Sequence, residues 1–194
     1  MARTRLADFR VAVVGSSGSG KSAFAARLAQ RLAIPHVELD AIAWRPGWVL
    51  LSKSDPAAFI RLVQDAAAAD SWVADGNYSL VQPLILARAT HLVWLDYGRS
   101  VIMPRVLKRS FLRALSPREL WPGTGNREDF RRWLRPDHPI RWTWDNHARV
   151  RARYAATFAD PARAQLTKHR LARPRDAARL LARLTAGQAA ADCG

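Results

Sequence analysis

Along the first hundred positions apolar residues arrive in two rhythms. Segments 9–15, 34–39, 71–75 and 91–96 are short, rich in valine and leucine, and closed by glycine or aspartate. Runs of that length without alternation predict strands buried on both faces. Between the first two, Phe24, Leu28 and Leu32 recur every fourth residue while Arg27, Gln30 and Arg31 face away, which predicts an amphipathic helix. Asp55-Pro56 reads as an N-cap followed by proline at the first helical position. Phe59, Leu62, Val63 and Ala66 would form the apolar face of that helix.

The second half follows the same logic less regularly. Ser100 is expected to cap a helix reaching about residue 115, with Pro104 in its first turn. Residues 116–140 are interrupted by prolines and glycines and show little periodicity, so they read as a long loop or lid. A helix over 142–158, a strand near 165–171 and a last helix with Ala177, Leu180, Leu181 and Leu184 on one face complete the pattern. Strands alternating with helices predict an α/β fold, a parallel β-sheet sandwiched by helices. The length of 194 residues suits a single domain, 1–194, with the lid inserted.

Composition narrows the class. Apolar residues make 49 % and charged residues 24 % of the chain, an ordinary globular balance. Cys193 is the one cysteine, so an intrachain disulfide framework is excluded. No run approaches the ~18 apolar residues of a membrane span, and residues 1–10 lack the apolar core of a secretory signal. A cytoplasmic protein with no membrane partner is therefore expected.

Charge is the unusual quantity. Lys and Arg number 31 against 16 Asp and Glu, a formal +15, of which residues 1–98 contribute +2 and residues 99–194 contribute +13. Because 27 of the 31 are arginine, codon bias accounts for part of the total. It does not account for the asymmetry, which points to a polyanion.

Gly15-Ser16-Ser17-Gly18-Ser19-Gly20-Lys21-Ser22 fits G-x-x-x-x-G-K-[ST], between a predicted strand and a predicted helix. Glycines let successive N–H groups turn toward a polyphosphate, and the helix N-terminus adds its dipole. Lys21 can reach the β- and γ-phosphates, and the Ser22 hydroxyl can ligand Mg²⁺. The chain lacks the Asn-Lys-x-Asp motif of GTPases and the Ser-Gly-Gly signature of ABC proteins. Size and motifs favour a compact kinase.

Three further blocks carry a resemblance. Val37-Glu-Leu-Asp40-Ala-Ile-Ala-Trp44-Arg-Pro-Gly-Trp48, Val73-Ala-Asp75-Gly76-Asn77-Tyr78-Ser79 and Arg88-Ala-Thr-His-Leu-Val-Trp-Leu-Asp96-Tyr97 resemble the bacterial adenylate-kinase-related P-loop proteins called FlaR-like or "DNA topology modulation" proteins. Gly125-Asn126-Arg127-Glu128 resembles a feature of the same group, and the likeness spans about residues 9–185. It implies a P-loop nucleoside/nucleotide-kinase-like fold of sheet order 2-3-1-4-5. It implies no substrate.

On that implied sheet Asp75 lies beside the P-loop, where it could hold Mg²⁺; Asp96 is its rival, and a turn aspartate is the plain alternative. The resemblance to kinases of this fold implies that Asp40, at the end of the second strand, is the candidate general base toward an acceptor hydroxyl; a helix cap or solvated loop residue is the plain alternative. Trp44, Trp48 and Tyr78 could wall an aromatic pocket or simply pack in the core. Arg105, Arg109 and Arg113 form one helical stripe leading toward the lid, where cations can cover ATP phosphates. Met103, Leu107, Phe111 and Leu115 share that spacing and are expected in the core. Arg88 is a further candidate clamp for an acceptor phosphate. The five histidines show no metal-ligand spacing and receive no role.

Two functions compete. One is transfer of the γ-phosphoryl group of ATP, with Mg²⁺, to a small-molecule acceptor. The other is a nucleotide-dependent nucleic-acid-binding regulator, since residues 99–153 carry 14 basic and 5 acidic side chains with Trp121, Trp133, Trp142 and Trp144 among them.

Overall fold

The computed structural model describes residues 8–191; Cys193 lies outside them. A five-stranded parallel sheet carries the molecule. Its strands are β1 (Arg10–Gly15), β2 (His36–Glu38), β5 (Trp72–Asp75), β6 (His91–Leu95) and β7 (Thr167–Leu171). β3 (Trp44–Arg45) and β4 (Val49–Leu50) form a separate antiparallel ribbon. The main sheet runs β2-β5-β1-β6-β7, which is 2-3-1-4-5 when the five strands are counted alone.

Both faces of the sheet are buried, as the unbroken apolar runs require. Val11 and Val13 of β1 point into one core with Phe24, Leu28, Leu180 and Leu181, from α1 (Lys21–Leu32) and α8 (Pro174–Ala191). Ala12 and Val14 point into the other, with Phe59, Val63, Ile85, Val150 and Tyr154. Those residues come from α4 (Pro56–Ala66), α5 (Gln82–Arg88) and α7 (Pro139–Ala159). The Asp55 carboxylate caps α4 by accepting from the Ala58 N–H at 2.9 Å. Leu62, expected on the buried face of that helix, is exposed, and Ala67 beyond its C-terminus is buried instead.

Four local readings change. The second strand stops at Glu38, and Asp40 is the second residue of a short helix, α2 (Leu39–Ala43), followed after the ribbon by α3 (Leu51–Ser54). The helix expected from Ser100 is α6 (Arg99–Ala114), capped at Gly98, so Pro104 lies in its second turn. There its ring removes the N–H that would bond the Ser100 carbonyl. The segment before α7 is irregular, apart from a single 3₁₀ turn at Phe130–Arg132.

The fourth change concerns the apolar stripe of α6. Leu107, Phe111 and Leu115 are 43, 49 and 63 % exposed, and the buried row is Ile102, Val106 and Ser110. The reason is a close approach. A Cβ on Gly18 would collide with the Val106 side chain and lie 2.9 Å from the Ile102 carbonyl oxygen. Contact with the P-loop thus fixes the rotation of α6. The stripe that periodicity alone would bury is left facing out.

Candidate active site

β1 ends at Gly15, and the chain folds through residues 16–20 into α1. Gly20 is the N-cap at φ 91°, with no side-chain cap, so the first N–H groups of α1 are left for an anion. Gly15 has φ 147°, and a Cβ there would stand 2.7 Å from the Leu95 carbonyl oxygen. Only glycine fits that close approach. The Ser19 N–H bonds the Ser16 carbonyl at 3.1 Å, and Lys21, the first residue of α1, is buried.

The Asp75-Gly-Asn-Tyr78 block meets this loop residue by residue. Asp75, 2 % exposed at the end of β5, accepts from the Ser22 hydroxyl at 2.6 Å through Oδ2. Its Oδ1 lies 2.8 Å from Nε2 of His36. Gly76, at φ 147°, passes within reach of Leu39. Asn77 donates from Nδ2 to the Gly15 carbonyl at 2.6 Å, and its Oδ1 accepts from the Tyr154 hydroxyl at 2.9 Å. Tyr78 donates its phenol to Oδ1 of Asp40 at 2.8 Å. Burial first, and then the Asp40 carboxylate, push the Tyr78 hydroxyl above its usual pKa, which keeps it a donor.

Asp40 therefore faces the site from the first turn of α2 with one oxygen held. Glu38 joins it, in register beside Asp75 on the adjacent strand. Burial, then Asp75 and Asp40, push the Glu38 carboxyl above the ordinary carboxylate range, against the opposing pull of His36 and Lys21. Sequence reasoning passed over Glu38 and His36, because only the pairing of β2 with β5 brings them to Asp75.

The arginine row of α6 borders the loop from the other side. Arg109 donates to the Ser17 hydroxyl at 3.0 Å, and Arg105 reaches the Ser19 carbonyl at 3.5 Å and covers the Tyr97 ring at 5.7 Å. Burial and the neighbouring Arg113 lower the Arg109 pKa to about 10, while Asp40 and Glu128 pull it back up. The loop thus has the Asp75 carboxylate bonded to Ser22 and the Arg105 and Arg109 guanidiniums bonded to Ser19 and Ser17. Asp40 lies near enough to act on the charge of both Glu38 and Arg109, and Lys21 on that of Glu38.

Other candidates go elsewhere. Asp96, the rival of Asp75, is held by Arg151 at 2.5 Å and Arg170 at 2.6 Å. Arg88 donates to the Ala67 carbonyl and to those of Ala68 and Ala69 at 3.0 and 3.3 Å, so it ties down a turn rather than facing the phosphate loop. Trp44 and Trp48 meet edge to face at 5.7 Å, but their third partner is Trp121, stacked on Trp44 at 5.7 Å, while Tyr78 packs on Phe59.

Asn126 explains that cluster. It donates to the Arg45 carbonyl at 2.9 Å and accepts from the Trp48 N–H at 3.0 Å, holding segment 116–138 to the β3–β4 ribbon. His138, assigned nothing from sequence, is paired with Glu128 in a buried contact. Of the tryptophans interleaved with basic residues, Trp121, Trp133 and Trp142 are half-buried, and Trp144 is exposed beneath Arg99. No helix among the described residues is long and apolar enough to cross a membrane.

This parallel 2-3-1-4-5 sheet with a phosphate loop after its central strand is the P-loop kinase-like fold. Solved structures similar to this chain include a putative kinase from Chloroflexus aurantiacus j-10-fl, at 17 % identity and TM-score 0.50, covering 91 % of this chain and 97 % of that one. A gluconokinase from Sinorhizobium meliloti 1021 matches at 18 % identity and TM-score 0.46 over 95 and 97 % of the two chains. A sugar kinase from Janibacter sp. HTCC2649 matches at 21 % and 0.37 over 82 and 98 %. No family model and no curated protein sequence matches the chain.

Proposed function

We propose that the protein is an ATP-dependent kinase that transfers the γ-phosphoryl group to a small acceptor bearing a hydroxyl. The observation that carries this reading is the meeting of Ser22 and Asp75 at 2.6 Å, at the foot of a phosphate loop whose far side is lined by Arg105 and Arg109. Two hard oxygen donors beside a polyphosphate cradle fit Mg²⁺, which takes one or two protein ligands and completes its shell with phosphates and water. Bound there, the ion would neutralise charge on the β- and γ-phosphates.

The side chains divide the remaining work. Backbone N–H groups of residues 15–22 and Lys21 hold the donor phosphates. Asp40 accepts the acceptor's hydroxyl proton as its oxygen bonds to phosphorus and the bond to the β-phosphate oxygen breaks, releasing ADP. Tyr78 keeps the Asp40 carboxylate oriented. Arg105 and Arg109 face the equatorial oxygens of the transferring group, where fixed cations stabilise the charge that develops. The likeness to FlaR-like proteins is compatible with this reading and adds no acceptor.

A transfer screen from labelled ATP across nucleosides, nucleotides, sugars and sugar acids tests it, with Lys21→Ala alongside. Transfer to one class is expected, lost in Lys21→Ala while the variant unfolds at the same temperature. Transfer unchanged in Lys21→Ala, or ATP binding without any acceptor turned over, overturns it.

A further inference from the structure

Beyond the P-loop, α6 and the chain that follows it line an open groove of about 560 Å³. Its wall carries Arg105, Lys108, Arg109, Arg113 and Arg118 against a single acid, Glu119, with Leu112 and Leu120 as its apolar part. None of the five cations is in an ion pair among the described residues. Nε of Arg109 is buried there without any hydrogen-bond partner. Uncompensated cations gathered in a concavity focus a positive field and attract an anion.

The donor does not account for all of this. Its triphosphate is served by the loop N–H groups, Lys21, and the two arginines that touch the loop, Arg105 and Arg109. Arg113 lies about 12 Å further along the helix axis than Arg105, and Arg118 lies in the segment beyond. The volume falls in the range of whole small-molecule sites, roughly 300–1,000 Å³, and far exceeds one phosphate.

We infer that this groove is an anion subsite for the acceptor: the acceptor carries a phosphate or carboxylate held by Lys108, Arg113 and Arg118, with its carbon skeleton against Leu112 and Leu120. This rests on the kinase reading for the word acceptor, but the site itself is a binding claim and can be tested without turnover. Lys108 and Arg118 are exposed, so reversing their charge leaves the core alone.

The experiment is calorimetric titration of the full chain, first saturated with the Mg²⁺ complex of a non-hydrolysable ATP analogue. The probes are inorganic phosphate, AMP, ribose 5-phosphate and gluconate, with adenosine, ribose and glucose as neutral counterparts. At least one anion is expected to bind ten-fold or more tighter than its neutral counterpart. Lys108→Glu/Arg118→Glu should weaken it at least ten-fold while leaving affinity for the ATP analogue within two-fold. Phosphorylated and carboxylate probes then identify the anionic group. Binding of no anion above the saturated P-loop, or a charge reversal that weakens the ATP analogue equally, overturns the inference. If an anion binds as expected but the transfer screen is silent, the kinase reading fails and the anion site stands.

Discussion

Ser22 and Asp75 are 53 residues apart in the chain, yet the hydroxyl of one donates to the carboxylate of the other at 2.6 Å. The contact exists because β5 lies beside β1 in parallel register, Val13 opposite Asp75, and α1 begins a few residues after β1 ends. Asp75→Asn keeps the shape of that side chain and removes its charge. Turnover is expected to fall on the order of 10²-fold, the scale of losing one preorganised electrostatic group. The unfolding temperature should hardly move. Steady-state transfer rates measured across a Mg²⁺ titration check this, and the variant should need more Mg²⁺ for half-maximal rate.

Gly18 predicts a different failure. At φ 82°, with Val106 and the Ile102 carbonyl against its Cα, any Cβ must push α6 away from the loop. Gly18→Ala should therefore weaken ATP-analogue binding by ten-fold or more and lower stability by about 1–3 kcal/mol, the range for overpacking. Isothermal titration and denaturant unfolding measure both. Gly20→Ala offers the contrast, since its Cβ would meet open space and its cost would come from backbone conformation alone.

How far the sequence alone carried is visible in these residues. The five strands of the main sheet, their order as the resemblance implies it and the phosphate loop were legible, because apolar runs and the G-x-x-x-x-G-K-S spacing are local signals; the two-residue strands β3 and β4 are too short to leave such a signal. Asp75, Arg105 and Arg109 each stand within hydrogen-bond reach of the loop or of Ser22 at its end. What local pattern could not hold was rotation and register. The exposed stripe of Leu107, Phe111 and Leu115 has the spacing of a core face, and only the approach of Gly18 decides against it. Glu38 and His36 gained their place from β2 pairing with β5, and Arg88 lost its supposed ligand to three backbone carbonyls.

Arg88 can be assigned by kinetics. Its guanidinium satisfies the carbonyls of Ala67, Ala68 and Ala69, at the turn that leads from α4 toward β5. Arg88→Ala should destabilise the fold by about 1–3 kcal/mol, as expected for leaving such groups without a charged donor. The Michaelis constant for the acceptor should stay within two-fold of the parent. A large rise in that constant at unchanged stability would restore Arg88 to the substrate.

Asn126 holds the segment before α7 to the β3–β4 ribbon through two hydrogen bonds, 2.9 and 3.0 Å long, and is itself buried. Asn126→Ala leaves the Arg45 carbonyl and the Trp48 N–H unpaired and loosens the Trp44–Trp121 stack. Each lost pair costs roughly 0.5–1.5 kcal/mol. Limited proteolysis should then cut between residues 116 and 138 faster, while β1 and α1 stay protected in hydrogen exchange. Equal cleavage of parent and variant would show that the ribbon does not restrain this segment.

Asp96, directly after β6, is tied to Arg151 of α7 and Arg170 of β7 and should contribute to the acid sensitivity of the fold. Burial pushes the Asp96 carboxyl up, but hydrogen bonds and charge from Arg151 and Arg170 outweigh it and hold the group below the usual 3.8. A carboxyl whose folded value lies below its unfolded one binds fewer protons in the native state. Its contribution is therefore complete above the unfolded value and is lost as pH falls through the folded one. Comparing Asp96→Asn with the parent isolates that contribution. The parent should be more stable by about 1–3 kcal/mol near neutrality, the scale of hydrogen bonds to charged groups. That advantage should shrink below pH 3.8 and be smaller in high salt, because both arginines are half exposed. Urea unfolding at a series of pH values reads the difference directly, and an advantage that grew on acidification would contradict the assigned direction.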